Sequence, residues 1–208
     1  TTPDATSTWT YDTAALGTTG RLALGKPATA VKSTDNYSET YTYTNLGLTA
    51  TSTINAGSAY TVRYDYDSDS RVKDITYPNT GFKVRQHYDA YGYLYQVNRV
   101  TGTNVESLLW QTTVSDAHAR VVQEMFGNGL SSNRVYNHET GDLETIKTGT
   151  AANPTAVQNL SYTFDAIDNL LTRTDVSPGI NVTETFTYDT VNRLTRSTVQ
   201  GGTVNLTK

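Results

Sequence analysis

Asp65, Asp67 and Asp69 alternate along one stretch of the chain. Three acids at that spacing open the oxygen cage of an EF-hand-like calcium loop. Such a loop needs glycine at its sixth position and glutamate at its twelfth, and here those positions hold Ser70 and Thr76. His87, His118 and His138 have no second histidine two or four residues away, and the chain has no cysteine. Neither a zinc set nor a disulfide framework is legible. Ser131 and Ser132 lie outside any nucleophile-elbow pattern, and the carboxylates form no distinctive acid pair. The residue types therefore point to no catalytic, cofactor or metal site, and the expectation is a protein that is not an enzyme. The chemistry that does recur is that of turns.

A phrase of tyrosine, aspartate, two variable residues, glycine, a polar residue and leucine repeats along the chain. Its fullest copy runs from Tyr88-Asp89 through Gly92 to Leu94. Tyr188-Asp189 with Asn192 and Leu194, Phe164-Asp165 with Asp168 and Leu170, and Tyr66-Asp67 with Ser70 and Val72 restate it. Weaker copies surround these: Tyr43 with Gly47, Asp116 with Ala119, Tyr136 with Gly141, and Tyr11-Asp12 parted by a longer loop from Gly20-Arg21-Leu22. The aspartate-equivalent positions are 12, 44, 67, 89, 116, 137, 165 and 189, a mean step of about 25 residues. A fixed period in that range signals a repeat architecture.

One repeat reads as one β-hairpin. Val182, Glu184, Phe186 and Tyr188 alternate with Thr183, Thr185 and Thr187, the two-residue period of a strand. Aspartate suits the first position of a type I turn, because its side chain accepts from the backbone two residues on. The residue three further along must then take positive φ to re-enter the ladder as a bulge. Glycine does so without strain, and Asn and Asp tolerate it best among the rest. Gly47, Gly92, Asp168 and Asn192 hold that slot, with Gly20 and Gly141 in the longer loops. Ser70 and Ala119 fit it poorly.

Composition agrees with a sheet. Apolar residues make up 36% of the 208, and threonine occurs 39 times. One thick central core is less suited to that balance than a broad sheet with tyrosines and aliphatics on one face and threonine on the other. Net charge is −4, and lysines and arginines are scattered, which argues against nucleic acid. No apolar run approaches the ~18 residues of a membrane-spanning helix. The expected fold class is all-β: a single domain over 1–208, about eight tandem antiparallel hairpins in a long twisted, coiled sheet, cut from inside a longer protein. Its outer connections fall at Gly25 to Ala28, Pro78 to Gly81, Gly127 to Gly129, Gly149 to Pro154 and Ser177 to Gly179. Such a piece carries two unpaired edges that tend to recruit another chain, including a second copy of itself. Trp9, Trp110 and the tyrosines also offer rings that stack on sugars, so a carbohydrate-binding or adhesion module on a cell surface is the alternative.

The repeated phrase resembles the Rhs, or YD-repeat, family. Gly20-Arg21-Leu22, Tyr88-Asp89 with Gly92 and Leu94, and Tyr188-Asp189 with Arg193-Leu194 carry the resemblance, which runs over about residues 9 to 200. The family includes bacterial polymorphic toxins, cocoon-forming components of insecticidal Tc-type toxin complexes, wall-associated proteins and animal teneurins. The resemblance implies a strip of β-sheet that spirals into a hollow shell. It further implies a secreted or cell-surface protein whose partners are the rest of its own shell and an enclosed effector. Toxin-type members carry an Asp-Pro-x-Gly segment linked to self-cleavage. No Asp-Pro pair occurs here, so no autoproteolytic residue carries over. The resemblance makes Tyr11, Asp12, Gly20, Arg21, Gly47, Tyr66, Asp67, Tyr88, Asp89, Gly92, Asp165, Asp168, Tyr188, Asp189 and Asn192 the residues that matter, all as structural repeat turns.

Overall fold

Alternating β-branched and aromatic residues, broken at short intervals by turn formers, fold this chain into strands and no helix among the described residues. The computed structural model describes residues 6–18, 21–32, 36–78, 80–202 and 206–207. Sixteen strands have five residues or more, and a two-residue strand follows them. The chain forms two compact units, residues 1–107 and 108–208.

In the first unit the strands are β1 (Ser7–Tyr11), β2 (Pro27–Lys32), β3 (Tyr37–Tyr43), β4 (Thr49–Ala56), β5 (Ala59–Tyr66), β6 (Val72–Thr76), β7 (Lys83–Tyr88) and β8 (Leu94–Thr101). Each pairs antiparallel with the next in sequence. The register sorts the side chains cleanly. One face carries Thr8 and Thr10, Thr29, Thr40 and Thr42, Thr51 and Thr53, and Thr61, in adjoining columns. The opposite face carries Tyr37, Tyr41, Ile54, Tyr60, Tyr64, Ile75 and Val84.

β9 (Val105–Ser115) leads into the second unit, where residues 110–115 pair with β10 (Val121–Phe126). The series continues through β11 (Ser131–Tyr136), β12 (Leu143–Gly149), β13 (Gln158–Phe164), β14 (Leu170–Asp175), β15 (Val182–Tyr188), β16 (Leu194–Gly201) and β17 (Leu206–Thr207). Every neighbour is again antiparallel. Thr145, Ser161 and Thr163, Thr172 and Thr174, and Thr183 and Thr185 fill one face. Ile146, Leu160, Tyr162 and Phe186 lie on the other.

Packing is thin in both units. No large side chain is fully buried among the described residues, and the buried apolar set is Ala23, Ala28, Tyr43, Val84 and Val100. Hydrogen bonds along the ladders, capped turns and cross-strand pairs therefore carry a larger share of stability than in a layered globule. Threonine pairs are one such device. Hydroxyls meet at Thr10–Thr29 (2.6 Å), Thr42–Thr51 (2.7 Å), Thr53–Thr61 (2.9 Å), Thr163–Thr172 (2.7 Å) and Thr174–Thr183 (3.2 Å).

Candidate functional site

The hairpin turns are built to one plan. At Asp67 the amide donates to the Arg71 carbonyl (2.9 Å), and the Ser70 amide donates to the Asp67 carbonyl (3.1 Å). Asp67 Oδ1 accepts from the amides of Asp69 and Arg71, both at 2.9 Å, while Oδ2 accepts from Arg71 Nε at 2.7 Å. Asp116 with Arg120 and Asp189 with Arg193 repeat every one of these contacts. Asp165 does the same with Asn169, whose Nδ2 replaces the guanidinium. Asp89 caps the amides of Tyr91 and Tyr93, and Thr44 Oγ1 caps those of Leu46 and Leu48. Asp12 differs: it sits at φ +64° and accepts from the Gly25 amide across the longer loop. Arg21 receives the Leu16 amide at its carbonyl, and Gly20 lies outside the described residues.

In the turns capped at 44, 67, 89, 116, 165 and 189 the residue three after the cap is left-handed. Gly47 has φ +77°, Gly92 +89°, Asp168 +65° and Asn192 +61°, with Gly141 at +86° in the longer turn. Ser70 (+65°) and Ala119 (+60°) adopt the same conformation, although their types favour it least. At Tyr43, Tyr66, Tyr88, Tyr136, Phe164 and Tyr188 the strand register shifts by one residue, so a bulge stands at each aromatic-to-turn junction. Two opposite outcomes follow. Gly92→Val forces a branched residue into positive φ and is expected to cost about 1–3 kcal/mol. Ala119→Gly relieves that strain and is expected to gain about 0.5–1.5 kcal/mol. Urea unfolding of the two variants checks both signs.

Electrostatics support the caps. Burial opposes the charged form of Asp67, yet hydrogen bonds from Arg71 and Asp69 outweigh it and hold the carboxyl below its usual range. Asp116 is lowered in the same way by Arg120 and His118. The Asn169 side chain lowers Asp165, and the Arg193 amide and guanidinium lower Asp189. Both oxygens of Asp67 are thus committed to its turn, and Asp69 pairs with Arg71 Nη2 at 3.0 Å. Among the described residues no group of three or more His, Asp or Glu side chains stands together as a metal cage.

Four turns are fastened to the strand before them by a tyrosine hydroxyl. The tyrosine preceding the cap donates its hydroxyl to the first carbonyl of the previous return strand: Tyr66 to Thr49 (2.7 Å), Tyr88 to Val72 (2.9 Å) and Tyr188 to Leu170 (2.9 Å). Tyr43 reaches Pro27 at 2.6 Å. Arginine closes the link from the other side. The Arg71 guanidinium lies 4.6 Å from the Tyr88 ring centre, and Arg120 lies 4.0 Å from that of Tyr136. Arg120 Nη1 also donates to the Gly141 carbonyl at 2.8 Å. One arginine therefore caps its own turn and stacks on the next hairpin. In the sequence this position reads as polar, with arginine at 21 and 193 carrying the family resemblance; the stacking of Arg71 and Arg120 on the next hairpin was not foreseen.

A second constellation was invisible in the sequence. On the threonine face of the first unit, Asp74 takes Nε and Nη2 of Arg85 at 2.7 and 2.8 Å and Lys83 Nζ at 2.7 Å. Arg85 Nη1 reaches Glu106 Oε1 at 2.8 Å, and Glu106 Oε2 takes His87 (2.8 Å) and Asn98 (2.6 Å). His87 is therefore a half-buried strand residue, whereas His118 and His138 are exposed at turns. In the second unit Glu124 binds Trp110 Nε1 (2.7 Å) and Arg134 (2.6 Å).

No protein-family model and no curated protein matches this sequence. Solved structures do. The crystal structure of TcdB2-TccC3 superposes with a TM-score of 0.72 at 18% identity, covering 93% of this chain and 11% of that one. The Photorhabdus luminescens Tc holotoxin pore gives 0.68 at 17%, covering 84% and 9%. TcdB2-TccC3 without its hypervariable C-terminal region gives 0.61 at 20%, covering 88% and 9%. This chain spans about a tenth of the length of those chains. The likeness supports an Rhs-like, hairpin-repeat fold.

Proposed function

We propose that residues 1–208 form a wall segment of a repeat shell in a secreted or cell-surface protein, and that the shell encloses or presents an effector polypeptide. The turn-to-turn lock supports this reading most directly. Tyrosine hydroxyls at 43, 66, 88 and 188 grip the previous return strand, and an arginine from the previous turn stacks on that same tyrosine at 71–88. Hairpins joined this way extend without limit, as a wall requires, and the fold matches that of TcdB2-TccC3. The wall works mechanically and uses no catalytic residue. Its essential residues are the turn formers Asp67, Asp89, Gly92, Asp165, Asp168, Asp189 and Asn192 with Tyr66, Tyr88 and Tyr188.

Limited proteolysis of the parent protein tests the proposal. With the wall intact, the enclosed polypeptide resists a protease that cuts it once released; Gly92→Val in the wall makes it cleavable. Equal cleavage of the polypeptide in both proteins rejects enclosure. A carbohydrate-binding reading draws on one observation, the tip of the 89–93 turn, where Tyr91 is 87% and Tyr93 60% exposed. A glycan array with wild type and Tyr91→Ala separates the two, because enclosure requires no sugar signal.

A further inference from the structure

Asn128-Gly129 is the one Asn-Gly pair in the sequence, and it stands at the tip of the β10–β11 hairpin. The turn keeps the backbone plan of the Tyr-Asp turns. The Phe126 amide donates to the Leu130 carbonyl (2.9 Å), the Gly129 amide donates to the Phe126 carbonyl (3.0 Å), and Gly129 is left-handed. Its cap position holds phenylalanine, which offers no side-chain acceptor. Asn128 covers part of that gap itself, its Oδ1 accepting from the Leu130 amide at 3.1 Å. We propose that Asn128 is a site of spontaneous covalent modification, where the Gly129 nitrogen closes on the side-chain amide to give a cyclic imide and then an acid.

The Gly129 nitrogen gives its proton to hydroxide and attacks Cγ of Asn128. A bond forms between that nitrogen and Cγ, the bond from Cγ to Nδ2 breaks, and the nitrogen takes a proton from water and leaves as ammonia. Water then opens the imide at either carbonyl. One product is aspartate; the other is isoaspartate, with an extra methylene in the main chain. The turn favours this route. Residues 127–129 are exposed, and nothing lies within 4 Å of where a Cβ on Gly129 would stand, so the attacking nitrogen is open. The Leu130 amide already bonds Oδ1, and it stabilises the oxyanion that develops there. The leaving Nδ2 has no hydrogen-bond partner among the described residues. One bond opposes the attack, that of the Gly129 amide to Phe126. Other turn asparagines lack these features. Asn104, Asn137 and Asn192 precede Val105, His138 and Arg193, whose side chains shield the amide. Asn137 and Asn169 hold their Nδ2 on Glu144 (3.0 Å) and Asp165 (2.9 Å), and Asn153 precedes Pro154, which has no amide hydrogen.

Incubation of the full chain at neutral to mildly alkaline pH, followed by peptide mass mapping, tests the proposal. The peptide that contains residue 128 is expected to gain the mass difference between amide and acid. It is expected to split into two products, one of which accepts a methyl group from a protein isoaspartyl methyltransferase. Conversion quickens as pH rises, because the attacking nitrogen must lose its proton. Asn128→Gln, which enlarges the ring, is expected to abolish the change, and Gly129→Ala, which shields the nitrogen, to slow it. Asn104 and Asn137 stay unchanged over the same time. The isoaspartate form, once separated, is expected to melt below Asn128→Asp, because its longer main chain disturbs the hydrogen bonds of Phe126 with Gly129 and Leu130. The proposal is overturned by an unchanged residue 128, by conversion spread evenly over the asparagines, or by an equal rate in Gly129→Ala. Acid at 128 without isoaspartate marks direct hydrolysis and overturns it too. The chemistry does not rest on the wall reading.

Discussion

Asp74→Asn is expected to destabilise the protein at neutral pH by about 2–4 kcal/mol, one of the largest single-residue effects in the first unit. The carboxylate is 4% exposed and anchors two cations, Arg85 through two bonds and Lys83 through one. Removing one partner of a buried ion pair strands the others, which costs more than the pair itself contributes. Arg85 and Lys83 keep 14% and 28% of their side-chain surface, so solvent recovers part of the loss. Arg85 also retains Glu106. Those two facts place the figure below that for a fully enclosed pair.

The same residue sets an acid limb. Burial pushes the Asp74 carboxyl up, but Arg85 and Lys83 pull it down further, to about 2. The Asn98 amide, with His87 and Arg85, brings Glu106 to about 2 as well. Both folded-state values lie below those of the unfolded chain, near 4. Their contribution is therefore complete above about pH 4.5 and is lost as pH falls toward 2. In thermal melts over pH 2 to 7 the wild type should lose stability across that window. Asp74→Asn starts lower and falls less, so the two curves converge at the acid end. Parallel curves would show that Asp74 does not bind protons differently on folding.

Local chemistry made the turns legible, and distance hid the rest. A cap, two spacers and a left-handed residue lie within four positions, so Asp89 with Gly92 or Asp189 with Asn192 can be read without a structure. Ser70 and Ala119 show where that reading falters. Residue type suggests poor fit, yet capping by Asp67 and Asp116 and pairing on both sides hold them at positive φ. The arginines were legible in principle, because Arg71, Arg120 and Arg193 all stand four after the aspartate. The Asp74, Arg85 and Glu106 network was not. Its members are eleven and twenty-one residues apart, and the registers of β6 with β7 and β7 with β8 set Asp74, Arg85 and Asn98 side by side on that face. The threonine and tyrosine faces stand between these cases: composition suggested two unlike faces, and the register assigned the residues.

Gly149→Ala and Gly129→Ala are the same substitution with different expected costs, about 2–4 and about 1 kcal/mol. In the sequence both glycines read as breakers in outer connections. Gly129 is one: its φ is +83°, and a methyl group there meets nothing within 4 Å, so the cost is the left-handed conformation alone. Gly149 is instead the buried last residue of β12. A Cβ there would stand 2.1 Å from the Asn153 carbonyl oxygen, 2.6 Å from the Pro154 carbonyl carbon and 2.8 Å from the Ala156 amide. That loop cannot retreat freely. Its amides at 153 and 156 bond to the carbonyls of Thr150 and Asn153, and Val157 bonds back to Thr148 beside the glycine. Relieving the clash therefore breaks a hydrogen bond or displaces the β12–β13 pairing that begins at Thr148 and Gln158. Urea titration of the two variants ranks the effects. Equal losses would mean that the 150–157 loop yields to a methyl group, and that glycine at 149 serves the turn and not the close approach.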